Sequence, residues 1–333
     1  MPRRRTSRGP AAAGARAPLP GFVPPQLATL VGQAPRGGGW LHEIKFDGYR
    51  TAARVAAGRV RMLTRRGLDW TVRFAPIARA LARLAVRAAY IDGEIVVMDA
   101  EGRTSFAGLQ DALSGGRPER LVYCAFDLLH LDGRDLRGQP ALARKQALEA
   151  LIAGAGPGPL RYSEHVLGSG ADFLRHACRL RLEGVVAKLA DAPYRPGRSR
   201  DWLKVKCLQR QEFVIGGWTA SEAAGRELRS LLVGYFRRGR LVVAGKVGTG
   251  FDLKTGRELA VRLARLARRD PPFATVPAEY RRGIRWVEPR LVVEVSFSAW
   301  TADGILRHAS FEGIREDKPA ASVVLETPVS AGP

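Results

Sequence analysis

One lysine, Lys45, stands in the run HEIKFDGYR at residues 42–50, between two apolar neighbours and just before an Asp-Gly pair. Alternation along an extended strand would place Glu43, Lys45 and Asp47 on one face and turn the apolar neighbours into the core. A lysine is nucleophilic only as the free amine, so its pKa must fall from roughly 10.4. Partial burial and nearby cations both lower a lysine pKa. The run therefore predicts a nucleophilic amine at Lys45 with other cations folded around it.

Cations that could surround this nucleophile occur in two later strand-like runs. Lys204 and Lys206 are two residues apart in DWLKVKC, and Lys188 ends the run EGVVAK that begins with Glu183. Side chains two residues apart point the same way from a strand, where two ammonium groups can bind one phosphate. Glu183 and Lys188 would face opposite sides of a regular strand, so we expect a bulge or an irregular start at Gly184. Taken alone, an exposed strand lysine is more often a solvated charge.

Other familiar kinds of site do not match this sequence. The five histidines have no metal-ligand spacing, no G-x-S-x-G elbow occurs, and the glycine-rich run GQAPRGGGW lacks the Gly-Lys-Ser/Thr of a P-loop. The three cysteines, Cys124, Cys178 and Cys207, have no paired spacing. An odd, sparse set argues against disulfides and fits a reducing compartment.

The predicted secondary-structure elements that position these residues fall into two groups, with a boundary near residue 208. Before that point, β-type runs alternate with amphipathic helices: WLHEIKF and YRTAARV flank Asp47-Gly48 and predict a hairpin, while LVYCAFDLLHL predicts a central strand. After Cys207, five or so strands with Gly-rich turns are interrupted by one helix, near GRELAVRLARLARR. This second pattern is typical of a small closed barrel such as an OB-fold.

Charge predicts a polyanionic partner. The 333 residues, enough for two domains, carry 54 Lys and Arg against 32 Asp and Glu, a net charge of +22. Nucleic acid is the favoured partner, an anionic membrane surface the less favoured one, and an Arg-rich composition bias the alternative explanation. No apolar run is long enough to cross a bilayer. Residues 1–20 are basic without an apolar core, which indicates a disordered arm rather than a secretory signal, with a transit peptide as the less favoured alternative.

Seven short motifs follow one another along the chain in a fixed order. They are Lys45-Phe46-Asp47-Gly48-Tyr49-Arg50, Thr64-Arg65-Arg66, Asp92-Gly93-Glu94, Ala125-Phe126-Asp127, Glu183-Gly184-Val185-Val186-Ala187-Lys188, Trp202-Leu203-Lys204-Val205-Lys206 and Arg315-Glu316-Asp317-Lys318. The series resembles that of the covalent nucleotidyltransferases. The text between the motifs, including FDLLHLDG, EVSFSAWT and LRHASFEGIREDK, resembles the ligase module of bacterial non-homologous end-joining DNA ligases over about residues 21–325.

The resemblance implies an α+β fold. A nucleotidyltransferase domain, built as ATP-grasp-like antiparallel sheets with flanking helices, is expected to precede a small OB-fold β-barrel domain. The implied boundaries are a disordered basic arm over 1–20, an adenylation domain over 21–207, an OB-fold domain over 208–326 and a C-terminal tail over 327–333. We expect this two-domain core alone, because the length leaves no room for polymerase or phosphoesterase modules.

The resemblance also implies an activity. Lys45 would attack the α-phosphate of ATP to form lysyl-AMP, the AMP would pass to the 5′-phosphate of a DNA nick, and the 3′-OH would displace it. The expected metal is Mg²⁺ or Mn²⁺, with Glu94 and Glu183 as its carboxylates. Further nucleotide contacts are expected from Glu43, Ile44, Arg50, Arg65, Glu94, Phe126, Lys188, Lys204, Lys206, Arg315 and Lys318, with Asp317 in the last motif.

Each position has a structural alternative: Phe126 as a core aromatic, Glu94 and Arg65 as solvated charges, and Asp317 and Lys318 as part of a frayed end. The expected partners are nicked or broken duplex DNA and a bacterial Ku-type end-binding protein, with no membrane, for a monomer in the bacterial cytoplasm associated with the nucleoid. The alternative functions are an RNA ligase or an mRNA-capping guanylyltransferase of the same superfamily, and a non-catalytic DNA-binding relative.

Overall fold

The computed structural model describes residues 16–223, 225 and 227–331. The first part of the chain forms two sheets with flanking helices. Its elements are β1 (Gln26–Leu30), β2 (Trp40–Ile44), β3 (Tyr49–Ala56), β4 (Arg59–Thr64), α1 (Ala75–Leu81), β5 (Ala88–Val96), α2 (Phe106–Ser114), β6 (Val122–Leu131), β7 (Arg134–Asp135), α3 (Ala141–Ala153), β8 (Leu160–Tyr162), β9 (Val166–Leu167), α4 (Gly170–Arg179), β10 (Gly184–Leu189) and β11 (Gly197–Lys206).

The second part is almost entirely β. Its elements are β12 (Arg210–Ala220), β13 (Leu228–Arg237), β14 (Arg240–Val247), α5 (Leu253–Ala264), β15 (Arg285–Trp286), β16 (Val292–Ser296), β17 (Ala299–Trp300), β18 (Leu306–Arg307) and β19 (Ser310–Ile314). Short 3₁₀ turns lie at Pro118–Arg120, Ala278–Tyr280 and Ala320–Ser322.

Local sequence explains most of these elements. Strand β3 alternates buried and half-buried residues along its whole length, as a strand with one face on a core must. Helices α2, α4 and α5 begin where Ser105, Ser169 and Asp252 accept a hydrogen bond from a backbone N–H of the first turn. Among the described residues, every helix is too short or too polar to cross a bilayer.

The two sheets of the first part lie on either side of the run that contains Lys45. One sheet has the order β1-β11-β10-β2-β9 and the other β4-β3-β5-β6-β7, with β8 beside β6. The predicted hairpin is therefore wrong: β2 and β3 belong to different sheets, and the Asp47-Gly48 turn carries the chain between them. Strand β3 finds longer partners in β4 and β5, and a side chain at Gly48 would lie 2.1 Å from the Ile95 carbonyl.

The second part forms an OB-type sheet with the order β14-β13-β12-β16-β19. The expected closed barrel is not reached, because the outer strands β14 and β19 do not pair along their length. Among the described residues, their ends meet through a single bridge just beyond β14, where the Phe311 amide donates to the Thr249 carbonyl at 2.9 Å. A core of aliphatic and aromatic side chains, including Phe213 and Trp218, fills the sheet.

Both ends of the described chain pack onto the first part. Residues 1–15 of the predicted disordered arm lie outside the described residues, but residues 16–20 do not fit that prediction. The Ala17 amide donates to the Gly133 carbonyl at 2.7 Å, and Leu19 packs beside Val23. At the other end, the Val329 amide donates to the Leu30 carbonyl at 3.0 Å.

The prediction of no disulfide is also wrong. Cys178, at the end of α4, is bonded to Cys207, just past the end of β11, with their Cα atoms 5.1 Å apart. The two cysteines are 29 residues apart in the sequence, so no local spacing predicts the bond. The fold brings the two ends together, while Cys124 remains a buried free thiol.

Candidate active site

All of the predicted site residues lie around one cleft. The cleft has a volume of about 210 Å³ and is lined by both sheets of the first part and by the inner face of the second. Its lining includes Glu43, Ile44, Lys45, Asp47, Arg50, Arg65, Glu94, Phe126, Glu183, Lys188, Lys204, Lys206, Arg315, Asp317 and Lys318. Residues from seven distant motifs therefore face a single space.

Lys45 lies just after β2, where the chain leaves one sheet for the other. Its amide donates to the Gly184 carbonyl at 2.9 Å, and its ammonium pairs with the Glu183 carboxylate. Burial lowers the pKa of Lys45, but the charges of Glu183, Asp47 and Glu94 outweigh burial and raise this pKa above its ordinary range. The predicted depressed pKa is therefore wrong for this conformation, because carboxylates rather than cations surround the amine.

In the strand before Lys45, the side chains point to the opposite sides from those predicted. Glu43 is 2% exposed, whereas Ile44 is 36% exposed. The buried carboxylate has partners: Glu43 Oε1 lies 2.8 Å from the Lys188 ammonium and 3.3 Å from that of Lys145, and Oε2 accepts from Ser163 Oγ at 2.9 Å. A buried carboxylate with this many partners replaces the apolar contact that Ile44 would have made.

Lys145 and Ser163, which sequence reasoning missed, do not line the cleft but contact the lining residue Glu43. Burial is the main cause that lowers the pKa of Lys145 to about 8, against the attraction of Glu43. A signal for Lys145 did exist, because it shares the buried face of α3 with Leu148 and Ile152 at helical spacing. A lysine on the apolar face of a helix requires a buried partner, and the cleft supplies one.

The aromatic Phe126 lies in β6 at the side of the cleft. The Lys188 ammonium is 4.7 Å from its ring centroid and the Arg50 guanidinium is 5.3 Å away. Arg50 is held in turn by both oxygens of Asp92, at 3.1 and 2.6 Å. Trp202 completes the group with its ring centroid 6.1 Å from that of Phe126. Phe126 is thus half-buried: it packs against the small apolar cluster that contains Trp202, and the two cations lie beside its ring.

Lys204 and Lys206 share a carboxylate that the sequence did not indicate. Each ammonium lies 2.7 Å from one oxygen of Glu326. Burial, followed by repulsion from Lys206, lowers the pKa of Lys204 to about 8 although Glu326 opposes the change. The same two lysines lower the pKa of Glu326 to about 2, although burial acts in the other direction.

Carboxylates gather around the nucleophile. Burial raises the pKa of Glu94 to about 8 and that of Asp47 to about 7. Glu183 lies just before β10, which pairs with β11 in unbroken register from Gly184 onward. The irregular start, and not a bulge, places Glu183 in the cleft. Its Oε2 is buried with no hydrogen-bond partner among the described residues.

The last motif faces the same space from the second part. Arg315 binds Asp317 through two hydrogen bonds of 2.9 Å and Glu294 at 2.9 Å, and Lys318 lies 3.0 Å from Glu212. Asp317 is 4% exposed, so the alternative of a frayed end is wrong for this motif.

Arg210, at the start of β12, is a further residue that sequence reasoning missed. Its guanidinium pairs with the Asp47 carboxylate across the boundary between the two parts, and it lies 3.1 Å from Glu312. The second part therefore contacts the turn that follows the candidate nucleophile.

Two family models match this chain. The ATP dependent DNA ligase domain matches residues 25–206, and the ATP dependent DNA ligase C terminal region matches residues 224–318. Together they span the cleft and both parts that line it.

Curated relatives and solved structures agree with these matches. The chain is 43% identical to the multifunctional non-homologous end joining protein LigD of Pseudomonas aeruginosa over 344 residues, 100% of this chain and 41% of the relative. It is 41% identical to the LigD of Mycobacterium tuberculosis over 292 residues, 86% of this chain and 37% of the relative. The chain thus spans about two fifths of the length of these relatives. A solved structure of mycobacterial DNA ligase D with ATP and MES has a TM-score of 0.69 and 38% identity, covering 90% of this chain and 97% of that one.

Proposed function

Because this chain belongs to the ATP-dependent DNA ligase family, we propose that it joins a 5′-phosphate to a 3′-OH at a break in duplex DNA. The observation that carries the proposal is the single cleft in which Lys45 lies among Glu183, Lys188 and the lysines of β11. A nucleophile and several phosphate-binding cations around one space are what phosphoryl transfer requires.

In the first step, Lys45 Nζ forms a bond to the α-phosphorus of ATP as the bond to the pyrophosphate oxygen breaks. The amine must lose its proton before it attacks, and Glu183 is the carboxylate already bonded to it. Lys188, Lys204 and Lys206 would neutralise the phosphate oxygens as charge shifts to the leaving group. The AMP then moves to the 5′-phosphate of DNA, and the 3′-OH displaces it.

The other lining residues would hold the rest of the nucleotide. Phe126 would stack on the base, with Glu43 and Ile44 beside it. Arg50 and Arg65 would contact the ribose-phosphate or the phosphate of the nick, and Glu94 the ribose hydroxyls. From the second part, Arg315 and Lys318 would orient the leaving pyrophosphate, with Asp317 holding the Arg315 guanidinium in place.

The carboxylates of the cleft fit a divalent cation. Glu183 presents a buried oxygen with no described partner, and Glu94 lies near enough for its charge to raise the pKa of Lys45. Oxygen donors suit Mg²⁺ or Mn²⁺. The described residues contain no cluster of three or more metal-ligand side chains, which fits an ion that keeps its waters and phosphate oxygens. When bound, such an ion would neutralise phosphate charge.

The test is labelling and sealing. With Mg²⁺ we expect ATP, and not GTP, to label Lys45, and we expect Lys45→Ala to lose both labelling and nick sealing while still binding DNA. Labelling by GTP would favour a capping guanylyltransferase, and preferential sealing of RNA-containing nicks would favour an RNA ligase. Normal sealing by Lys45→Ala would overturn the assignment.

We further propose a role in end joining, because the relatives named above carry that function in their names. The net charge of +22 supports binding to DNA phosphates. A monomer of the bacterial cytoplasm, associated with the nucleoid and recruited by a Ku-type end-binding protein, would fit this role. We propose domain boundaries at residues 21–207 for the adenylation domain and 208–326 for the OB-fold domain.

A further inference from the structure

The chain that follows the last motif crosses the cleft and places a carboxylate between two lysines. The two oxygens of Glu326 lie 2.7 Å from the ammonium groups of Lys204 and Lys206, one oxygen on each. One carboxylate thus binds both lysines through two oxygens, as one phosphate group would. Glu326 lines the same cleft as Lys45.

This contact belongs to a longer docked stretch, residues 323–331, which we call the C-terminal segment. On the second part, the Gln211 side chain donates to the Val324 carbonyl and accepts from the Glu326 amide, both at 3.2 Å. On the first part, the Val329 amide donates to the Leu30 carbonyl at 3.0 Å. Glu326 is therefore held at its place in the cleft by backbone contacts on both sides.

We propose that Glu326 is an internal competitor of the nucleotide, which occupies the phosphate position on Lys204 and Lys206 until ATP displaces it. This inference rests on the proposed function, in which these lysines face the α-phosphate. Both ligands are anions that need the same two ammonium groups, so the two states exclude each other at this position.

The competition predicts a lower apparent affinity for ATP. A ligand that binds only the open form has its dissociation constant divided by the fraction of molecules that are open, so a docked form favoured nine to one would weaken binding about tenfold. The release is not an acid switch, because the pKa of Glu326 lies near 2 and its carboxylate stays charged at every pH at which the protein would work.

The test measures lysyl-AMP formation on Lys45, without DNA, as a function of ATP concentration. We expect Glu326→Gln, and a second variant that ends at Leu325, to lower the apparent KM for ATP about tenfold with no loss of maximal rate. Glu227→Gln is the matched control, since it removes one carboxylate from an exposed pair with Arg257 and should leave the KM unchanged.

Two results would overturn the inference. One is an unchanged KM in Glu326→Gln; the other is a fall in maximal rate, which would make Glu326 a positioning residue for the lysines. Hydrogen exchange at the Val329 amide gives a readout that needs binding alone: saturating ATP should speed this exchange in the native chain, and equal protection with and without ATP would contradict displacement. If no variant forms an adduct on Lys45, the proposed function fails, and the exchange result still decides whether nucleotide displaces the segment.

Discussion

Lys45 lies among the carboxylates of Glu183, Asp47 and Glu94, whereas Lys204 lies beside Lys206 and shares the Glu326 carboxylate with it. Burial acts to lower the pKa of both lysines. Only at Lys45 do the carboxylates outweigh it, so the two pKa values move in opposite directions. The balance of charge around a buried lysine, and not burial itself, therefore sets the direction of its pKa shift.

This contrast has a consequence for catalysis. The carboxylates raise the pKa of the candidate nucleophile Lys45, and Glu183, which pairs with its ammonium, also suits a metal. A cation that draws Glu183 away would remove the main cause that raises the pKa of Lys45. Under the proposed function, activation of the amine would then depend on the binding of that cation.

The most severe test of the contrast is Glu183→Gln. It removes the main charge that raises the pKa of Lys45, so the pH at which lysyl-AMP forms at half its maximal rate should fall. It also removes the carboxylate that is positioned to accept the proton of the amine, so the maximal rate should drop about 10²–10⁴-fold. The rate of adduct formation measured from pH 6 to about 10 checks both effects. An unshifted pH profile would show that Glu183 does not govern the amine.

A second test concerns the buried Lys145, whose pKa falls from 10.5 to about 8. Between these two values the unfolded chain holds more protons than the folded one, so the contribution of Lys145 to the free energy of unfolding rises with pH across this window. A shift of this size corresponds to about 3 kcal/mol. Lys145→Met should lose this rise, and urea unfolding at pH 7.5 and about 10.5 measures it. Equal pH dependence in both proteins would contradict the lowered pKa.

The disulfide provides a third test, because Cys207 immediately follows the strand that carries Lys204 and Lys206. Cys178→Ser should lower the free energy of unfolding by about 2–4 kcal/mol, since it frees a loop in the unfolded chain. Cys124→Ser is the control, as it leaves the pair intact. Thiol titration of the unfolded, non-reduced native protein should find one free thiol, and three would contradict the bridge.

The smallest expected effect comes from Arg210, which joins the second part to the nucleophile's turn through Asp47. Arg210→Met should slow lysyl-AMP formation about tenfold, the usual cost of losing one charge-assisted hydrogen bond. It should leave the sealing of pre-adenylated DNA nearly unchanged, because that step begins after AMP has been transferred from Lys45 to the DNA. If both steps slowed equally, the prediction that Arg210 acts only in lysyl-AMP formation would be wrong.

The identity and order of residues carried the signal for which side chains line the cleft, while their catalytic and binding roles stay predictions. Lys45, Phe126, Glu183 and Arg315 were named from motifs and all line one space. Predictions that depended on local pattern were weaker. The Asp47-Gly48 pair is a strong turn signal, but a turn signal does not specify which strands it joins, and here it joins two sheets.

Residues outside the motifs were missed for a related reason. Ser163 and Arg210 become part of the site only through partners more than a hundred positions away, as the pair between Glu43 and Ser163 shows. The Cys178–Cys207 bond likewise joins residues that are distant in sequence, 29 positions apart. Sequence spacing carries no information about contacts of this range unless the chain has a known motif to compare.

Residue types and their order establish the available chemistry: a candidate lysine nucleophile, an ordered set of cations and carboxylates, a strongly basic chain and two sheet-rich parts. The electrostatic state of each group follows from the fold. It buried Glu43 and exposed Ile44, paired Lys45 with Glu183, and laid Glu326 across the lysines of β11. The physical reason is that a residue's type sets its charge and its hydrogen bonds, whereas its pKa and its partner depend on which distant groups the fold brings within a few ångströms.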